Sequence, residues 1–286
     1  MVKNSMPKVL LQDIGDVDLS YLLYEGDGPT IVLMHATGFL PWLWHPIARE
    51  LAPRWRVIAP YFCDHRDSDP EKGGLNWLTI AQDLANFCKR LGLDRPAMAG
   101  HSMGATVITL ANAAFDLDVR GLILIEPIFL PEDFYKAQIT IDLHPLASKA
   151  IRRRDTWSDS VEAHAYLRSK AMFKNWDSEM LDLYVEYGMK NLDAGGLRLA
   201  CSPIREASLF MGGMQYDPWP LLPKVTCPTL ILEGEESENR AFIDLKKAAS
   251  AFKQATYRMV KGAGHLIPQE KPTETIEIIR DFLSPL

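Results

Sequence analysis

Gly100-His101-Ser102-Met103-Gly104 stands between a short apolar run, Ala97–Gly100, and an apolar segment that starts near Met103 with the character of a buried helix. A sharp strand-to-helix turn holds its central residue in a strained backbone conformation, so the flanking positions 100 and 104 must be small to avoid collisions. The Ser102 hydroxyl then points outward at a helix N-terminus, where the helix dipole and free backbone N–H groups favour developing negative charge. The five-residue string recurs by chance in many chains; the strand before it and the helix after it give it weight.

Working outward, short apolar runs alternate with longer amphipathic ones, the rhythm of a sheet buried on both faces by helices. The runs predict an N-terminal hairpin through Val9–Leu11 and Leu19–Tyr24, then strands at Thr30–His35, Trp55–Ala59, Ala97–Gly100, Gly121–Glu126, Thr229–Glu233 and Thr256–Val260. Leu78–Leu91 places Ile80, Ala81, Leu84, Phe87, Cys88 and Leu91 on one helical stripe. Further helices are expected after Ser102, Asn239 and Lys271. The alternation stops between about Leu130 and Pro220, where helical patterns rich in Trp157, Phe173, Trp176, Tyr184, Tyr187 and Phe210 dominate and no strand is expected. The fold class is therefore α/β, a mostly parallel twisted sheet flanked by helices, with residues 1–129 and 221–286 forming the core and residues 130–220 a helical cap inserted into it. The aromatics of the insertion serve chiefly as its own core, with some facing a pocket.

A serine hydroxyl is a poor nucleophile near neutral pH and needs a base within hydrogen-bond reach. His265 is the candidate, because Gly262-Ala263-Gly264-His265-Leu266-Ile267-Pro268 is a glycine-rich loop between the last predicted strand and the C-terminal helix, from which an imidazole can reach across the carboxyl edge of the sheet. His45, His65, His144 and His164 lack such a setting and read as surface or structural residues.

These two elements, with His35-Ala36-Thr37-Gly38-Phe39 after an early strand, resemble the α/β-hydrolase fold family, particularly its small esterase-like members with a helical cap; the resemblance covers nearly the whole chain. It implies an oxyanion hole formed by the backbone N–H groups of Thr37 and Met103, with Ala36 replacing a usual glycine. It also implies a carboxylate for His265. The family's usual source is Gly-x-x-Asp after the cap, which here reads Gly234-Glu235-Glu236-Ser237, with serine in the acid position. Glu126, ending the strand Gly121–Glu126, is the alternative source used by some members, and it can fix the tautomer of His265 and stabilise its imidazolium. Glu236 and Glu238 stay open as substitutes, and a purely structural Glu126 that caps the loop after it is the other possibility. The stretch Ala59–Ser68 departs from the family's Pro-Asp-x-x-Gly-x-Gly-x-Ser loop at Tyr61, Asp64 and Arg66, which leaves Tyr61 and His65 as residues that could reach the site.

The resemblance implies that Ser102 attacks a small carboxylic ester, with thioester or carbon–carbon bond hydrolysis as alternatives on the same machinery, and a ligand receptor with little turnover as an alternative of another kind. The substrate pocket is expected at Phe39 and Trp42, with His101 beside the serine; Phe39, Trp42 and Trp44 can equally form a packing cluster at a helix start. No H-E-x-x-H is present, nor a G-x-G-x-x-G after a strand, so neither metal nor organic cofactor is expected. The formal charge of −6 argues against a nucleic-acid partner, which needs concentrated Lys and Arg; Arg152, Arg153 and Arg154 read as a solvated helix face. Cys63, Cys88, Cys201 and Cys227 lack C-x-x-C spacing and read as free thiols. Without an apolar run at Met1–Pro7 or a stretch long enough to span a bilayer, the expected location is the cytoplasm, with no membrane partner.

Overall fold

The computed structural model describes residues 6–286; of the N-terminal stretch read above, residues 1–5 lie outside them. The core begins with β1 (Lys8–Asp13), β2 (Asp18–Tyr24), β3 (Thr30–Met34), helix α1 (His45–Leu51), β4 (Arg56–Pro60), α2 (Trp77–Arg90), β5 (Ala97–His101), α3 (Met103–Ala114) and β6 (Leu122–Ile125). A long insertion follows, with α4 (Glu132–Lys136), α5 (Ala147–Ala150), β7 (Thr156–Trp157), α6 (Ser160–Arg168), α7 (Ser178–Tyr187), β8 (Met189–Asn191), β9 (Leu197–Leu199) and α8 (Pro203–Gly212). The chain then returns through β10 (Thr229–Gly234), α9 (Leu245–Ala251), β11 (Ala255–Val260), α10 (Ile267–Glu270) and α11 (Pro272–Leu283).

Eight strands form one sheet in the order β1-β2-β4-β3-β5-β6-β10-β11. The hairpin β1–β2 and the β2–β4 pair are antiparallel; every other pair is parallel. The central strands are buried on both faces, which is why β3, β5, β6 and β10 read as continuous apolar runs without alternation. At the β1 edge, Val9 and Leu11 remain exposed. Helix α2 forms as its stripe predicts: Asn76 caps it by accepting from the Leu78 N–H at 2.8 Å, and Ile80, Ala81, Leu84, Phe87 and Cys88 are buried.

Two expectations need correction. The insertion contains a three-stranded antiparallel sheet, β7-β9-β8, where no strand was expected. Its strands are two or three residues long, too short for a period-two pattern to register. Cys63 and Cys201 are joined in a disulfide, with Cα atoms 6.0 Å apart, while Cys88 and Cys227 are free. These two sulfurs are 138 residues apart in sequence, and only the folding of the insertion onto the loop after β4 brings them together. Among the described residues, no helix is long and apolar enough to cross a membrane.

Candidate active site

The site lies at the carboxyl ends of β5, β6 and β10, neighbours in the sheet. His101 and Ile125 are register partners, so Ser102 and Glu126 are the next residues out on adjacent strands. Both leave their strands with left-handed backbones, Ser102 at φ 54° and Glu126 at φ 51°. The Ser102 N–H donates to the Ile125 carbonyl at 2.9 Å, and the Glu126 N–H to that of Leu232 at 2.9 Å, so the sheet ladder fixes each turn. The small flanking residues are needed: a Cβ at position 100 would lie 2.5 Å from the Gly104 carbonyl carbon, and one at 104 would lie 2.4 Å from the Met34 carbonyl oxygen. Ser102, 8% exposed, occupies the N-cap position of α3, and its side chain makes no capping hydrogen bond.

His265 occupies the loop between β11 and α10. Glu126, 1% exposed, reaches its Nδ1 through Oε2 at 2.9 Å. The same oxygen accepts the Ser237 hydroxyl at 2.7 Å, and Oε1 accepts the Gly234 N–H at 2.6 Å. A buried carboxylate is costly unless its lone pairs are filled, and here three donors fill them. The Asn239 amide also lies 2.9 Å from Nδ1. Among the described residues Nε2 of His265 has no hydrogen-bond partner. Glu236 and Glu238 are exposed, so Glu126 is the carboxylate that meets this imidazole. Ser237, read as a vacancy in the acid position, is instead a donor to the relocated carboxylate, a role its hydroxyl could have suggested once Glu126 was singled out.

His101 departs from expectation. It is 1% exposed, and its Nε2 donates to the His265 carbonyl at 2.9 Å, so it braces the backbone of the histidine loop rather than presenting a surface to a ligand. Burial, with the neighbouring His265 adding to it, holds its imidazole well below the usual histidine range. His35 has a similar bracing part: Nδ1–H donates to the Ala36 carbonyl and Nε2 accepts the Phe62 N–H, both at 2.9 Å. The ring thus ties the Thr37–Phe39 loop to the loop after β4, and burial lowers its pKa to about 4.

Thr37 and Met103 are both buried. Phe39 packs edge-on against Trp176 and Tyr184, with centroids 5.4 and 5.9 Å away, while Trp42 stacks on Tyr187 at 3.7 Å. Both therefore dock the insertion onto the core, and Trp44, 1% exposed, is core. His65 does not reach the site: its Nε2 lies 2.9 Å from Asp83 Oδ2, and Arg66 donates to Asp83 and to Asp16. That ion network, with the Cys63–Cys201 bridge, replaces the glycine turns of the loop after β4. Tyr61 is half-buried, and burial pushes its hydroxyl up to about 12.

A serine at a strained strand-to-helix turn on an eight-stranded, mostly parallel sheet flanked by helices is the nucleophile-elbow arrangement of α/β hydrolases. The chain belongs to the alpha/beta hydrolase family, whose family model matches residues 31–278. It is similar to the 2-(acetamidomethylene)succinate hydrolase of Mesorhizobium japonicum, 26% identical over 271 residues, which covers 95% of this chain and 93% of that one. Among solved structures, an E-2-(acetamidomethylene)succinate hydrolase superposes with a TM-score of 0.81 at 24% identity, covering 97% of this chain and 99% of that one. A thermophilic esterase from Thermogutta terrifontis superposes at 0.70 with 22% identity, covering 97% and 98%. These two likenesses are of fold.

Proposed function

We propose that the protein is a serine hydrolase that cleaves a small carboxylic ester through an acyl-enzyme. Ser102 attacks the carbonyl carbon, His265 takes its proton through Nε2 and returns it to the leaving alcohol, and Glu126 holds Nδ1–H and stabilises the imidazolium. The N–H groups of Thr37 and Met103 receive the oxyanion, and water then releases the acyl group by the same route. The insertion acts as a cap, with Phe39 and Trp42, which pack against it, forming one wall of an aromatic pocket. The observation that carries this reading is the Glu126 Oε2 to His265 Nδ1 contact of 2.9 Å, made from the residue after β6, next to the strand that leads into Ser102. It orients the imidazole with Nε2 as its free acceptor, the tautomer a general base needs.

A second reading is favoured by the Mesorhizobium relative, whose substrate carries an acetamido group: the same residues acting on a carbon–nitrogen bond. Thioester and carbon–carbon bond hydrolysis use the same nucleophile, and a receptor with little turnover is the contrary case.

Treatment with a fluorophosphonate, followed by intact mass and peptide mapping, tests the nucleophile without knowledge of the substrate. A single adduct on Ser102, absent from Ser102→Ala, is the expected result; folded wild-type protein that takes no adduct would refute the mechanism. Initial rates on matched phenyl esters, thioesters and anilides then separate the bond types.

A further inference from the structure

Helix α8 sets a carboxylate against the Thr37–Phe39 loop. Glu206 is 7% exposed, and its Oε1 lies 2.5 Å from the point that a Cβ on residue 38 would occupy, so its carboxylate packs directly on Gly38. Gly38 itself has φ 76°, and both its backbone and the space beside it exclude a side chain. The other oxygen, Oε2, accepts from Arg153 Nη1 at 2.7 Å, and Arg153 Nη2 donates to the Tyr184 hydroxyl at 3.3 Å. Tyr184 in turn packs on Phe39, the next residue of that loop. Among the described residues nothing donates to Glu206 Oε1.

A carboxylate oxygen accepts more than one hydrogen bond, and this one, which no donor among the described residues fills, is not sealed from solvent, so a donor on a ligand can take the place of water there. Arg153 balances the charge of the pair, and both its terminal nitrogens already have partners. What remains unfilled beside the loop is therefore an acceptor, next to a loop whose Phe39 packs on Trp176 and Tyr184. We propose that Glu206 is the specificity determinant of this site, its Oε1 taking a hydrogen bond from a hydroxyl or amide N–H on an uncharged substrate. A substrate carboxylate at the same place meets a like charge and is disfavoured. This rests on the hydrolytic reading above, which names the site, and extends it to the substrate class.

The test uses Ser102→Ala protein, in which nothing is turned over, and calorimetric binding of three anilides that differ at the acyl end: N-phenylbutyramide, N-phenyl-3-hydroxybutyramide and N-phenylsuccinamate. A second set carries the hydroxyl or carboxylate on the ring instead, so that either end of the substrate can face Glu206. In one set the hydroxylated ligand is expected to bind about tenfold tighter than the plain one, the worth of one charge-assisted hydrogen bond, and the anion more weakly than both.

Adding Glu206→Gln, whose carbonyl oxygen keeps Arg153 and turns an NH2 to the loop, is expected to remove the penalty on the anion and to shrink the hydroxyl preference to about the few-fold worth of a neutral hydrogen bond. Glu206→Asp keeps the charge and withdraws it by one methylene, and is expected to reduce the preference partly. A purely structural Glu206 would lower all affinities together and leave the ratios unchanged, which overturns the proposal. Tightest binding of the anion in either set overturns it too, making Arg153 the determinant. Fluorophosphonate labelling of Ser102 in the Glu206 variants, read separately, bears on the hydrolytic reading alone.

Discussion

Glu126 Oε2 is shared between Ser237 and His265, and this crowding sets what each substitution should do. Glu126→Gln is expected to leave the fold intact and lower kcat on a reactive phenyl ester by about 10²- to 10⁴-fold, because an amide no longer secures the imidazole tautomer. Ser237→Ala removes one donor and should slow the same reaction by about tenfold, the scale of a hydrogen bond to a charged group. Steady-state rates on one ester rank the two, and a Ser237→Ala loss as deep as that of Glu126→Gln would contradict the division of labour. Protonation of His35 makes a different prediction. Its folded pKa of about 4 lies below the unfolded value of about 6.5, so the unfolded chain binds more protons between those values. Stability is therefore expected to be full above about pH 6.5 and to fall toward pH 4, by up to about 3 kcal/mol from this group. Thermal unfolding across that range checks it, and a His35→Gln variant should show a shallower slope. The meeting of Glu126 and His265 was legible because one ends a predicted strand and the other sits in a glycine-rich loop. Asn239 and the true use of Ser237 were not, since both depend on where the loop after β10 turns back.

The loop after β4 and the start of α2 are held to α8 and the residues just before it by covalent and polar ties together. Besides the Cys63–Cys201 bridge, Arg205 donates to the Arg66 carbonyl at 2.8 Å and to Asp67 at 2.9 Å, and the Trp77 indole N–H donates to the Leu209 carbonyl at 2.8 Å. Reduction of the bridge, or Cys63→Ser with Cys201→Ser, is expected to cost about 2 to 5 kcal/mol, since it frees a long closed loop in the unfolded chain. Denaturant titrations with and without a thiol reductant measure it. Arg66→Ala should cost about 1 to 3 kcal/mol, since it leaves the Asp83 carboxylate, whose side chain is 2% exposed, with His65 as its remaining side-chain partner. None of this could be read from periodicity. The loop was visible as a departure from the family pattern, yet the residues that replaced its glycines were legible only as oddities until Asp83, on α2, was seen beneath them.

Across the whole molecule, the apolar runs locate the strands of the large sheet, with most limits shifted by one residue or so, while their order in the sheet is set by pairing that no run encodes. The insertion's aromatic core is not separate from that of the sheet. One buried cluster runs from Ile31 and Leu33 through Phe39 and Trp42 to Phe173, Trp176, Met180 and Tyr184. Core and insertion are therefore expected to unfold in a single transition, with tryptophan fluorescence and far-ultraviolet circular dichroism giving coincident curves; two separated midpoints would show that the insertion folds by itself.

The left-handed backbone of Ser102, at φ 54° and ψ −118°, has a consequence for heat resistance. That conformation is one glycine adopts freely and serine only at a cost of about 1 to 3 kcal/mol, which the rest of the sheet must absorb. Ser102→Gly should thus melt higher than the wild type in calorimetry while losing its reaction with fluorophosphonates. On the proposed mechanism this residue is the nucleophile, so selection for thermal endurance alone would work against the reaction it is assigned.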